Sequence, residues 1–233
     1  MSNWFIVALV APILWSIVNH IDKYMLAKFL KNRGVGALLI FSALSSVIVL
    51  PFIIFFRHSE ILGISGIDVL ILIFVGFLSA VAFCFYLMGM EMEEASIVIP
   101  LFQLVPVFGY FLSYMILGES LSTAQILSSL LIMSGVVILA IDIDEEKKIK
   151  LKTKILVLIA TSSFLFALHD TLFKKVAIVE SFWGSVFWQY LSLTIFGLVI
   201  LVTIKRFRED FKIMFKNTGR KIFSLNIMSE LIY

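Results

Sequence analysis

Seven apolar stretches, each about as long as a bilayer is thick, occupy most of this 233-residue chain. They run from Trp4 to Asn19, Val35 to Phe56, Val69 to Met90, Ser96 to Leu117, Ala124 to Ile141, Ile155 to Phe173 and Trp183 to Ile204. A hydrocarbon core of about 30 Å takes about 20 apolar helical residues to cross. Only the sixth stretch carries a charged residue. Backbone inside lipid must satisfy its own hydrogen bonds, which leaves helices or closed barrels. A barrel would show segments of about ten residues alternating apolar and polar. These stretches are apolar all round, so helices are expected. With 61% hydrophobic residues and a mean hydropathy of +1.07, the chain reads as an integral membrane protein. The expected fold is all-α: seven transmembrane helices and a partial eighth.

The basic residues sort by connector. The first connector holds Lys23, Lys28, Lys31 and Arg33, the fifth holds five lysines between Lys147 and Lys154, and the seventh holds seven basic residues between Lys205 and Lys221. The even-numbered connectors hold only Arg57, Lys174 and Lys175 of the 19. Lysine and arginine stay on the cytoplasmic side of short loops, so the bias puts the odd connectors in the cytoplasm and the amino terminus outside. Met1 to Asn3 offers no basic segment for a cleavable signal, and Trp4 onward reads as a full span. In the seventh connector Phe207, Phe211 and Phe215 recur every four residues among basic side chains. That pattern suits a short amphipathic helix on an anionic membrane surface, or an ordinary connector with snorkelling side chains.

After Lys154 the pattern begins again. At a constant offset of 151, Leu14 meets Leu165, Trp15 meets Phe166, Asn19 meets Asp170 and Lys23 meets Lys174. Five spans precede the hydrophilic connector, and five is odd, so the second copy enters from the opposite side. Inverted repeats of this kind recur among secondary transporters, with the binding site at the repeat interface. The expected organisation is a first five-helix repeat over residues 1–142, a cytoplasmic connector over 143–154 and an incomplete second repeat over 155–233. Residues from Ile222 to Tyr233 are too few to cross a bilayer and are expected to begin an eighth helix that is cut off.

The run from Pro100 to Ser122, PLFQLVPVFGYFLSYMILGESLS, is the most specific segment. It resembles the EamA-type half of the drug/metabolite transporter superfamily. The elements that carry the resemblance are Glu94-Ala95-Ser96, Pro100, Pro106 and Gly118-Glu119, with Gly135 in the next span. The resemblance implies a transporter of two inverted five-helix halves around a central substrate cavity, here with an apparently truncated second half. Ten-span members are expected to start in the cytoplasm, and the charge bias of this chain departs from that.

Polar groups inside spans are costly in lipid unless they face a cavity or a partner. The candidate substrate-binding residues are therefore Asn19, Gln103, Tyr110, His169, Asp170, Trp188 and Gln189, with Tyr114 and Tyr190 as further aromatic wall. His169 beside Asp170 can carry a proton; alternatively Asp170, four residues before Lys174, forms a helix-end ion pair. Structural or gating roles fall to Pro100, Pro106, Gly118 and Glu119. A proline removes one backbone hydrogen bond, so Pro106 leaves a free carbonyl near mid-span. That carbonyl serves a cavity, a flexing gate or a fixed kink. Glu119 precedes the fifth span, where a carboxylate suits the helix amino terminus and its free N–H groups.

No G-x-x-x-x-G-K-[ST] loop occurs, which argues against a nucleotide-driven pump. Cys84 is alone, so paired-thiolate zinc sites and internal disulfides are excluded. The expected function is secondary transport, outward, of a small metabolite such as an amino acid. The alternatives are a membrane-embedded lipid-modifying enzyme or a non-transporting accessory protein; of the three histidines, His20 shares the first connector with Asp22 while His58 lies on the opposite side, so no obvious catalytic cluster forms. Expected partners are the lipid bilayer, a small-molecule substrate and a proton as coupling ion, with no nucleic acid and no cofactor. A homodimer is expected if the chain is naturally short. The expected location is the plasma membrane of a bacterium, multi-pass.

Overall fold

The computed structural model describes residues 4–29, 34–143, 149–151 and 153–232. Ten α-helices are found among them: α1 (Trp4–Phe29), α2 (Gly34–Ser45), α3 (Val49–Leu62), α4 (Gly66–Met92), α5 (Ala95–Phe102), α6 (Leu104–Leu112), α7 (Thr123–Ala140), α8 (Thr153–Ala177), α9 (Phe182–Thr203) and α10 (Lys205–Ile232). A 3₁₀ turn (Ser46–Ile48) joins α2 to α3, and a π-turn (Ser113–Leu117) ends α6. The hydrophilic connector after α7 holds a short antiparallel ribbon, β1 (Ile141–Ile143) and β2 (Ile149–Leu151), with Ile141 opposite Leu151.

All seven expected stretches are helical, and five are long and apolar enough to cross a bilayer. These are Val35–Leu62, Gly66–Met92, Ala95–Leu117, Thr153–Ala177 and Phe182–Thr203. The shorter apolar stretch Thr123–Ile138 lies within α7. Side chains such as Phe55 (81% exposed), Leu131 (75%) and Ile138 (69%) stand on the outer surface. Water-soluble proteins rarely expose apolar patches of that extent, and here the surface suits lipid.

The helix starts are written in the sequence. Ser65 caps α4, its hydroxyl accepting from the Asp68 N–H, and Asp68 adds a carboxylate to the positive end of the helix dipole. Ser181 caps α9 in the same way, accepting from the Gly184 N–H at 2.9 Å. Within the bundle α4 packs most extensively against α8 and then α9. Small residues let these helices approach closely. A Cβ on Gly76 would lie 2.5 Å from the Gln189 carbonyl oxygen, and one on Gly197 would lie 2.6 Å from the Ala43 Cβ. Hydroxyls then stitch the pairs: Ser192 donates to the Ile73 carbonyl at 2.6 Å, and Ser162 donates to the Ala82 carbonyl at 2.8 Å.

The fourth span is broken in two. α5 stops at Gln103, whose ψ of 1° leaves the helical range, and α6 starts at Leu104. Pro106 has no N–H for the carbonyl four residues back, that of Phe102. Ser163 of α8 donates to that carbonyl at 3.4 Å. At the far end the π-turn closes on Gly118, whose φ of 70° is a left-handed conformation that glycine adopts without a Cβ clash.

Three expectations are corrected. The apolar stripe of the seventh connector faces protein rather than a membrane surface. Phe207 sits against Gly36, the Phe211 ring lies 4.9 Å from that of Phe41, and Met214 is buried, all where α10 packs on α2. Phe215 alone of the three rings is exposed. No separate helix begins at Ile222, because α10 runs unbroken from Lys205 to Ile232; Tyr233 lies outside the described residues. Among the described residues Glu119 caps no helix: α7 is capped by Ser122, which accepts from the Gln125 N–H at 3.3 Å. The Gln125 side chain accepts in return from the Ser122 N–H at 2.8 Å. This reciprocal pair is a capping box. Replacing both Phe207 and Phe211 by alanine is expected to loosen α10. Each ring is partly buried, so each loss is about 2 kcal/mol, below the ~3–5 kcal/mol of a fully buried phenylalanine. Faster proteolytic cleavage within α10 would show it.

Candidate functional site

Two cavities lie side by side against α8. The central one, about 130 Å³, is enclosed by α1, α2, α4, α5, α8 and α9, with the 3₁₀ turn and Val49 of α3 completing the wall. Its apolar floor includes Leu38, Phe83, Phe102 and Phe166, and its polar wall includes Asn19, Asp22, Ser42, Ser46, Ser79, Tyr86, His169, Gln189 and Tyr190. The second is a more open cleft of about 390 Å³ reaching the connector between α6 and α7. It is lined by Pro106, Gly109, Tyr110, Ser113, Glu119, Gln125, Asp170 and Lys174, among others.

The polar side chains of the central cavity hold one another in place. The buried Asn19 amide oxygen accepts from the Tyr86 hydroxyl at 2.8 Å, linking α1 to α4. Ser46 donates to the Ala43 carbonyl at 2.6 Å and meets the Thr194 hydroxyl at 2.7 Å, linking the 3₁₀ turn to α9. Gln189, itself buried, places its amide nitrogen 3.0 Å from His169 Nε2. On the other side of the ring, His169 Nδ1 lies 2.9 Å from Asp170 Oδ1. Tyr86→Phe would leave the Asn19 oxygen buried without that donor, at a cost of about 1–2 kcal/mol. Thermal unfolding of the detergent-solubilised protein checks this.

The candidate residues divide. Asn19, His169 and Gln189 line the central cavity, with Tyr190; Tyr110 and Asp170 line the cleft, with Pro106 and Glu119. Gln103 and Trp188 line neither. Gln103 is exposed at the break between α5 and α6. The Trp188 indole instead donates to the Ile61 carbonyl at 3.3 Å beside Leu72 and Val176. Tyr114 is exposed, so the four aromatics do not form one wall. Pro100 sits inside α5 and Gly118 in the turn after α6. The alternative pairing of Asp170 with Lys174 is not made. Asp170 bonds His169, and Lys174 reaches Glu119 at 2.6 Å.

Reading the sequence missed the acid and the hydroxyls of the central cavity. Asp22, expected in a cytoplasmic connector with His20, is buried within α1, which runs on to Phe29. Ser42, Ser45 and Ser46 recur at helical spacing and could have been read as one polar stripe on an apolar helix. Lys23, which follows Asp22, reaches the end of the third span. Its ammonium donates to the carbonyls of Met90 and Glu93, both at 2.6 Å, where a cation complements the negative end of α4.

Residues 2–141 match the EamA-like transporter family. A search among curated proteins finds no match to the chain.

Proposed function

The chain belongs to the EamA-like transporter family, and from that premise we propose that it is a secondary transporter which carries a small polar metabolite, such as an amino acid, through the central cavity by alternating access. The observation that carries the reading is a buried polar wall inside an apolar bundle. Asn19, Asp22, Tyr86, His169 and Gln189 come from four helices to one cavity. Ionisable and amide groups at membrane depth are expensive and mark pathways for substrates and ions. The wall offers an acid (Asp22), an imidazole and two amides, a set that suits a compound with both an ammonium and a carboxylate. At about 130 Å³ the cavity is well below the roughly 300–1,000 Å³ of sites for drug-sized ligands, which favours a small metabolite.

The first half of the architecture is supported by the family match, which ends at the residue where β1 begins. We read residues 1–142 as one five-helix repeat and 155–233 as part of a second, inverted one. In this reading α1 and α7 cross the bilayer with the five longer spans, the odd connectors face the cytoplasm, and transport runs outward across a bacterial plasma membrane.

Binding is testable without knowing the substrate. Purified protein would be melted in detergent with a mixture of L-amino acids. A ligand at 100 times its dissociation constant stabilises by about 2.7 kcal/mol, which is a shift of several degrees. Asn19→Leu and Gln189→Leu are each expected to reduce that shift by more than half. An equal shift in both variants would remove the central cavity from the proposal.

A further inference from the structure

The position of His169 between the two cavities assigns it a role that the transport reading does not require. His169 and Asp170 are consecutive on α8, yet His169 lines the central cavity and Asp170 lines the cleft. Their side chains differ in access to match: the His169 side chain is 13% exposed and that of Asp170 is 64% exposed.

The tautomer follows from the partners. An amide nitrogen only donates, so the Gln189 nitrogen at 3.0 Å makes His169 Nε2 the acceptor. The ring proton is then on Nδ1 and is donated to the Asp170 carboxylate at 2.9 Å. This arrangement of partners is the one that a neutral imidazole satisfies, oriented by its second hydrogen bond. A proton added at Nε2 would place two donors face to face. The contact is restored if the Gln189 amide turns over, so that its oxygen accepts from Nε2–H and its NH₂ points into the central cavity.

We propose that His169 is the proton-binding residue of this transporter and that the Gln189 amide converts its charge into a choice of substrate group. With His169 neutral, the cavity wall presents the amide oxygen, an acceptor. With His169 protonated, it presents an NH₂ donor backed by a cationic ring, which fits a substrate carboxylate. The balance is one proton gained at Nε2 on loading and one lost from Nε2 on release, with the Nδ1–H bond to Asp170 unchanged. Proton and carboxylate thus load together and leave together. This rests on the transport reading and names the coupling ion and the substrate group for the same cavity.

Other titratable groups face the ring from both sides. In the central cavity they are Asp22 from α1, Tyr86 from α4 and Tyr190 from α9, and α5 contributes only Phe102. Towards the cleft they are Tyr110 from α6, the Glu119–Lys174 pair and Asp170 itself. The Glu119–Lys174 pair cancels its own charge.

Two measurements test the switch. The chain has three histidines, so ¹⁵N-histidine spectra of the protein in nanodiscs can be assigned by subtracting His169→Gln. The expected result at alkaline pH is the Nδ1–H tautomer, lost in Asp170→Leu, which has no acceptor. An Nε2–H tautomer, or a ring unaffected by Asp170→Leu, would overturn the proposal whatever the protein transports. In proteoliposomes containing a pH-sensitive dye and given a mixture of L-amino acids, protons moved per amino acid are expected to fall at least tenfold in His169→Gln. An unchanged ratio would also overturn it. If wild-type protein exchanged no amino acid, the transport reading itself would fall, and the coupling with it.

Discussion

Gly76→Val is expected to destabilise the protein strongly by forcing α4 and α9 apart. Gly76 is where these helices meet, and even an alanine Cβ would stand 2.5 Å from the Gln189 carbonyl and 2.7 Å from the Ser192 Cβ. The first of these is backbone, so no rotamer change relieves the clash. Overpacking in a close-packed interior costs typically 1–3 kcal/mol, and with a backbone obstacle the cost is expected at or above ~3 kcal/mol. The damage is also directional. Moving α9 outward would break the Ser192 bond to the Ile73 carbonyl and draw Gln189 away from His169. Thermal unfolding in detergent measures the first effect. Gly135→Ala serves as the contrast, since nothing lies within 4 Å of a Cβ there. Removing a mid-helix glycine stabilises by up to about 1 kcal/mol. Equal melting temperatures for Gly76→Val and wild type would mean that the close approach of α4 and α9 is wrong.

Ser79→Trp is expected to abolish transport while leaving the protein in the membrane. Ser79 projects from α4 into the central cavity and is not among the residues that tie the helices together. An indole there would fill much of a space of about 130 Å³. A drop in amino-acid flux of at least a hundredfold is expected, with helix content by circular dichroism unchanged. Full flux through the filled variant would put the pathway elsewhere, with the Tyr110–Asp170 cleft the next place to block.

Much of the fold was legible because hydropathy reports what lipid demands: every apolar stretch became a helix. The ends were less legible. α1 outlasts its apolar stretch by nearly three turns, and that extension carries Asp22 and Lys23 into the protein. Both read as connector charges, because hydropathy cannot tell a carboxylate facing a cavity from one facing water. The stripe of Phe207 and Phe211 was visible, but a stripe fixes only that something apolar covers it. Here Gly36 makes room for Phe207 on α2, and α10 docks on protein.

The site was legible where a polar side chain stood alone in an apolar run. Asn19, His169 and Gln189 were conspicuous on that ground, and the structure places them around one space. Gln103 was equally conspicuous, but the break before Pro106 turns it outward. Trp188 found a nearby backbone carbonyl instead. The serines were overlooked because a hydroxyl that bonds its own helix barely lowers hydropathy, as with Ser46 and the Ala43 carbonyl. Glu119 looked like a cap for lack of any sign in the sequence that Lys174, 55 residues on, would take it. The capping box of Ser122 and Gln125 was there to be read and stands closer to the helix.

The measurement that bears most directly on the account is amino-acid flux across a sealed bilayer. Purified protein would be reconstituted into vesicles loaded with unlabelled L-amino acids, and entry of a labelled L-amino-acid mixture would be followed by counterflow. Uptake well above that of protein-free vesicles is expected, as is its loss in Ser79→Trp. Uptake no greater than that of protein-free vesicles, with the protein shown to be folded and inserted, would contradict the transport reading.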